Sequence, residues 1–64
     1  MIALIKEDGK GGLFVQLRWS DNKGNRHDRQ DTLKVPPYQK VDAVMGWMRD
    51  KLEAAQRNNE LRFN

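Results

Sequence analysis

Hydrophobic and polar residues follow two different periodicities in this chain. In the stretch LFVQLRWS, residues 13–20, apolar side chains occupy alternate positions, which is typical of a β-strand with one buried face. The apolar set is Leu13, Val15, Leu17 and Trp19. In residues 41–56, VDAVMGWMRDKLEAAQ, apolar side chains recur at intervals of three and four, which predicts an amphipathic α-helix.

The predicted helix carries one apolar stripe, which should pack on the sheet. The stripe comprises Val41, Val44, Met45, Met48, Leu52 and Ala55. Gly46 costs about 1 kcal/mol relative to alanine inside a helix, so it indicates either close approach of the sheet or a tolerated defect. Residues 38–40 should begin the helix after Pro36 and Pro37, and Asn58 or Asn59 is suited to end it.

Two further strands are predicted, at residues 1–6 and 26–33, so that residues 13–20 form the second of three strands in chain order. Residues 8–12, DGKGG, and 21–25, DNKGN, have the composition of turns. The stretch RHDRQDTL is polar on both faces until its end, which fits either an edge strand or a binding surface. The order of elements predicts one α+β domain over residues 1–64, a three-stranded antiparallel sheet with one C-terminal helix packed on one face.

Composition limits the environment and the stability of the domain. The 64 residues include no cysteine and no apolar run of the roughly 20 residues that a membrane span needs. No secretory leader is visible, so a cytoplasmic protein is expected. Because a chain this short buries a small core and has no disulfide, self-association would add stability, and a homodimer is a reasonable expectation.

The sequence offers little for catalysis or for binding metals and cofactors. Ser20 is the only serine and His27 the only histidine, and they flank a predicted turn with no oxyanion-binding loop nearby. One histidine near Asp28 and Asp31 is a weak pattern for a metal site. We therefore expect no catalytic residue, no metal and no cofactor, and we predict that the protein is not an enzyme.

Basic residues are concentrated in the sheet half, where they favour a nucleic-acid surface. The net charge is +3, and residues 1–40 contain eight basic against five acidic residues. Side chains suited to phosphates and base edges gather on the second and third strands and the turn between them. Depending on the register of this hairpin, Gln16, Arg18 and Ser20 lie beside either His27 and Arg29 or Arg26 and Gln30. The candidate contacts are Gln16, Arg18, Lys23, Arg26, His27 and Arg29. A polar face that serves only solubility is the alternative.

The layout also resembles a known family. An aromatic-bearing strand, a Gly24-Asn25-Arg26 turn, a return strand ending in Leu33 and a periodic helix resemble the arm-type N-terminal DNA-binding domains of phage and transposon tyrosine recombinases. That resemblance implies a three-stranded sheet that enters the major groove of duplex DNA with the helix behind it. By position it carries over Arg18, Lys23, Arg26 and Arg29 as DNA contacts, and it implies nothing catalytic.

A second hypothesis belongs to another class, a phage or mobile-element regulator that binds a host protein. Aromatic residues near arginine often anchor protein interfaces, and Trp47 and Phe63 are the candidates. For Trp47 the alternative is core packing against Trp19. The two hypotheses differ in the expected response to DNA, which should be strong and salt-dependent only for the first.

Overall fold

The chain folds into three antiparallel strands followed by one helix, in a computed structural model that describes residues 1–61. The elements are β1 (Ile2–Glu7), β2 (Leu13–Ser20), β3 (Arg26–Leu33), a short 3₁₀ turn (Pro37–Gln39) and α1 (Lys40–Arg57). The strand order is β1-β2-β3, so each strand pairs with its neighbour in sequence. The α+β fold expected from the sequence is confirmed.

The core forms between the inner face of β2 and the helix. Leu13, Val15, Leu17 and Trp19 are all buried, and Leu17 is completely inaccessible. From α1, Val44, Trp47 and Ala55 complete the buried set. Partly buried residues pack around it, namely Leu33, Met48, Leu52 and Leu61. The alternation of β2 therefore decides which side of the sheet the helix covers.

The buried stripe of α1 is rotated relative to the predicted one. Val41 and Met45 were expected in the core but are 71% and 64% exposed, whereas Trp47 is only 8% exposed. Trp47 is therefore not available as the surface anchor of a protein interface, and the core-packing alternative describes its position. Its Nε1 is buried and has no hydrogen-bond partner among the described residues.

The helix boundaries lie close to those predicted. Pro37 begins the 3₁₀ turn that precedes α1, where its missing N–H leaves no unsatisfied donor. At the other end Asn59 has a positive φ of 59°, and the Glu60 N–H donates to the carbonyl of Ala55 at 2.8 Å, as in a Schellman cap. Within residues 1–61, no helix is both long and apolar enough to cross a membrane.

Gly46 provides the first test of this packing. Nothing lies within 4 Å of the position that a Cβ would occupy on Gly46, so close approach of the sheet does not explain this glycine. Gly46→Ala should raise the free energy of unfolding by about 0.5–1 kcal/mol, because alanine loses less backbone entropy in a helix. Urea denaturation followed by tryptophan fluorescence would measure it. A decrease in stability would show that a Cβ at position 46 meets neighbouring atoms, contrary to the open space in the structure.

The rotated stripe provides the second test. Leu17→Ala should lose about 2–5 kcal/mol, because it leaves a cavity in a small core. Met45→Ala, with the side chain largely in solvent, should change stability by no more than about 0.5 kcal/mol. Both values come from the same denaturation experiment. If Met45→Ala proves as damaging as Leu17→Ala, the stripe predicted from periodicity is correct and the exposed position of Met45 is not.

Candidate nucleic-acid interface

The face of the sheet opposite α1, here called the outer face, is set by the strand register. Residues directly opposite one another in antiparallel strands point to the same side. Gln16 pairs with Gln30, Arg18 with Asp28, and Ser20 with Arg26. The outer face consists of Ile2, Leu4, Lys6, Phe14, Gln16, Arg18, Ser20, Arg26, Asp28, Gln30 and Thr32.

Among the described residues, one carboxylate lies on the outer face, that of Asp28 in the edge strand β3, and neighbouring side chains compensate it. Asp28 accepts hydrogen bonds from Gln16 Nε2 at 3.0 and 3.2 Å. Arg18 Nε lies 3.7 Å from the same carboxylate, with both side chains about half exposed. Such an exposed pair adds little to stability, but it neutralises the acidic group on this face.

Arg18 and Arg26 come together at one end of the outer face. Both are exposed, and together with Ser20 and Asp28 they line an open depression that Met1 and Ile2 also border. The Asp28 carboxylate in this depression lies 3.7 Å from Arg18 Nε, which compensates its charge. Two guanidinium groups beside a hydroxyl form a surface to which a phosphate oxygen can bind.

The hairpin tip holds Lys23 in a well-defined turn. The Asp21 carboxylate accepts hydrogen bonds from the backbone N–H groups of Lys23 and Asn25, at 2.8 and 2.9 Å. Gly24 has a φ of 82°, which glycine adopts without steric cost. Lys23 is exposed at the end of the β2–β3 ribbon, so its ammonium group is available to an external anion.

Two of the sequence-predicted contacts lie on the other side of the sheet. The register places His27 opposite Trp19 and Arg29 opposite Leu17, which puts both side chains on the face that α1 covers. Arg18 and Arg29 therefore cannot contact one groove together from the same face. Of the two registers that the sequence allowed, the structure has the one that places Arg26 and Gln30 beside Gln16 and Arg18. His27 and Arg29 therefore do not share the outer face with the other candidates, and Lys23 lies at its end.

His27 and Arg29 instead attach the end of the helix to the sheet. Arg29 donates to Glu60 Oε2 at 2.6 Å, and the Trp19 indole N–H donates to the Glu60 carbonyl at 3.0 Å. The His27 ring stacks on Trp19 with centroids 5.4 Å apart, and the guanidinium carbon of Arg29 lies over the Trp19 ring, 5.5 Å from its centroid. We call this set, completed by Asp21, the Glu60 cluster.

Asp21 is ionised in the Glu60 cluster over a wide pH range. Its Oδ2 lies 2.9 Å from His27 Nε2. That contact, reinforced by backbone N–H groups of Asn25 and Lys23, holds the pKa of the Asp21 carboxyl far below its usual range, although partial burial acts in the opposite direction. Among residues 1–61 no group of three or more histidine, cysteine or acidic side chains is arranged to hold a metal ion.

The Glu60 cluster was not predicted from the sequence, which also left the position of Gln30 undecided and did not assign Lys6 to a face. Gln30 was one of two options for the neighbours of β2, depending on the hairpin register. Lys6, opposite Phe14, could have been assigned to the outer face from the alternation of β1. Glu60 gave no local signal, because its partners are 31 or more residues away in the chain. Phe63, the second predicted interface anchor, lies outside the described residues.

Comparison of the chain with models of protein families, with curated proteins and with solved structures gave no match.

The lowered pKa of Asp21 leads to a pH-dependent prediction. A carboxyl whose pKa is lower in the folded state than the unfolded value of about 3.9 stabilises the fold above that pH and loses this contribution as the pH falls below it. The melting temperature should therefore fall between about pH 5 and pH 2, and Asp21→Asn should reduce this dependence. Thermal unfolding by circular dichroism at several pH values would measure both slopes.

The control for this experiment is Asp50→Asn, which removes one negative charge from an exposed position in α1. That variant should keep the pH dependence of the original protein. If Asp21→Asn and the original protein lose stability in parallel as the pH falls, the contact between Asp21 and His27 does not contribute as described.

Proposed function

We propose that this chain is a small, non-enzymatic DNA-binding protein that presents the outer face of its sheet to duplex DNA. The observation that carries the proposal is the separation of the two faces: α1 covers one side of the sheet, and the uncovered side holds basic and amide side chains in neighbouring strands. This side is free to approach a flat or grooved partner.

The charge of the outer face supports an anionic partner. Among the described residues, the strands of the outer face contribute Lys6, Arg18 and Arg26 against Asp28, a net charge of +2, while the whole chain carries +3. Lys23 at the hairpin tip extends the basic surface. Phosphate contacts from lysine and arginine supply most of the affinity for DNA that does not depend on sequence.

The amide side chains on this face are suited to base edges. Gln16 and Gln30 lie opposite each other in neighbouring strands, and glutamine can pair with the N6 and N7 positions of adenine. Arginine recognises guanine in a similar bidentate manner. In this proposal Arg18 exchanges its weak contact with Asp28 for a phosphate or a base.

The dimensions of the β2–β3 ribbon are compatible with the major groove. Each strand has eight residues, which corresponds to roughly 26 Å at about 3.3 Å per residue. The groove is about 12 Å wide and admits a two-stranded ribbon. The layout of three strands with a helix behind them is also the one implied by the resemblance to arm-type domains, which supports the same orientation on DNA.

Binding of a host protein through aromatic anchors is less well supported. Trp47 is buried, and Phe63 lies outside the described residues. The exposed large apolar residues lie instead at Met1 and in β1, at Tyr38 in the 3₁₀ turn, and at Val41 and Met45 in α1, and they do not include the predicted anchor Trp47. We therefore prefer the DNA proposal.

The proposal predicts salt-dependent binding that requires Arg18 and Arg26. A labelled mixed-sequence duplex should bind at low salt with a dissociation constant in the range of roughly 1–100 μM, with affinity falling as salt increases. Arg18→Ala combined with Arg26→Ala should reduce the slope of log K against log salt by about two, because each lost phosphate contact removes close to one. Fluorescence anisotropy at several salt concentrations measures both quantities.

The matched control removes two arginines from the helix instead. Arg49 and Arg57 are exposed in α1, so Arg49→Ala combined with Arg57→Ala lowers the net charge equally without changing the outer face. That variant should keep the slope of the original protein. Equal losses in the two double variants would indicate attraction by total charge, and an absence of binding at low salt would end the proposal.

A further inference from the structure

Within residues 1–61, the strand β1 is an uncovered edge of the sheet. It pairs with β2 on one side only, and all six of its residues are exposed. Residues 1–5, MIALI, contain no charged side chain. Ile2 is 66% exposed, Leu4 44% and Ile5 49%, and because successive residues alternate between faces, this apolar surface appears on both sides of the strand.

The two edges of the sheet differ in chemistry. The opposite edge, β3, carries Arg26, Asp28, Arg29 and Asp31, and charged side chains of this kind prevent pairing with another chain. An edge that is apolar on both faces and has unpaired backbone groups offers a template for a further strand. Only β1 has these properties within the described sheet.

We infer that β1 is the site at which a second copy of this chain binds, by antiparallel pairing of β1 with β1 across a two-fold axis. In such a pairing, opposite residues point to the same side of the joined sheet. Even-numbered residues of β1 must therefore face even-numbered residues of the second copy, and odd-numbered residues must face odd-numbered ones. Centred on Leu4, the register places Leu4 against Leu4, Ala3 against Ile5, and Ile2 against the aliphatic part of Lys6. No two like charges are opposed, so the chain supplies its own complementary edge.

The pairing joins two three-stranded sheets into one of six strands. With the two-fold axis perpendicular to the sheet, both helices lie on one side and both outer faces on the other. The segment that pairs is short, and its interface is at the lower end of the sizes found in specific complexes, so a weak and concentration-dependent dimer is expected. This inference concerns the protein alone and does not depend on DNA binding.

Sedimentation equilibrium without DNA tests the inference directly. The original protein should associate to a dimer with a dissociation constant between roughly 10 μM and 1 mM, the range of weak complexes. Leu4→Lys should weaken the association at least about tenfold, because two lysines would then face each other across the axis. Since Leu4 is partly exposed and outside the buried core, circular dichroism should show that the variant keeps its helix.

The matched control is Val41→Lys, which places the same charge on an exposed apolar position of α1. It should leave the association unchanged. A protein that remains monomeric at about 1 mM would overturn the inference, as would a dimer that Val41→Lys weakens and Leu4→Lys does not. If Leu4→Lys fails to fold, Ile2→Lys, which is more exposed, serves the same purpose.

Discussion

Burial of the apolar row of β2 beneath α1 is the interaction on which the rest of the molecule depends. Leu17 and Val15 lie in the central strand and are almost completely inaccessible to solvent. They are the most deeply buried large side chains of a core that is small because the chain is short. Because side chains alternate in a strand, burying this row forces Gln16 and Arg18 to the opposite side. The hydrophobic effect thus places the polar side chains that define the candidate site, although those side chains contribute little to the fold.

The elements of the fold could be predicted from the sequence, while several side-chain positions could not. The alternation in residues 13–20 and the periodicity in residues 41–56 are strong local signals, and both elements lie within a residue or two of their predicted bounds. Val41 and Met45 fit the helical period, but a helix touches a narrow sheet along a limited strip, so the choice between the Met45 side and the Trp47 side depends on docking. Periodicity alone does not determine which of these two sides of the helix is buried.

The candidate site shows a similar division. Gln16 and Arg18 were assigned to one face correctly, because β2 has a clear apolar side. Neither face of β3 is apolar. A shift of its register by one residue would place His27 and Arg29 on the outer face instead of Arg26 and Asp28. The turn decides the register: Asp21 caps the loop with its carboxylate, and Gly24 adopts a positive φ. The five-residue loop 21–25 pairs Ser20 with Arg26, whereas a loop of four residues, 22–25, would pair Ser20 with His27.

The sequential strand order has a kinetic consequence. Both hairpins join neighbouring strands through short loops, and hairpins of this kind form on the order of microseconds. The helix must then close a much longer loop, since Trp19 meets Glu60 across 41 residues. A sheet formed before the helix docks exposes Leu17 and Trp19 to solvent, next to an unprotected edge strand. A molecule in that state presents the apolar row of β2 and the apolar edge β1 together, which are the surfaces that favour aggregation. Docking of α1 removes the first of these two surfaces and leaves the second.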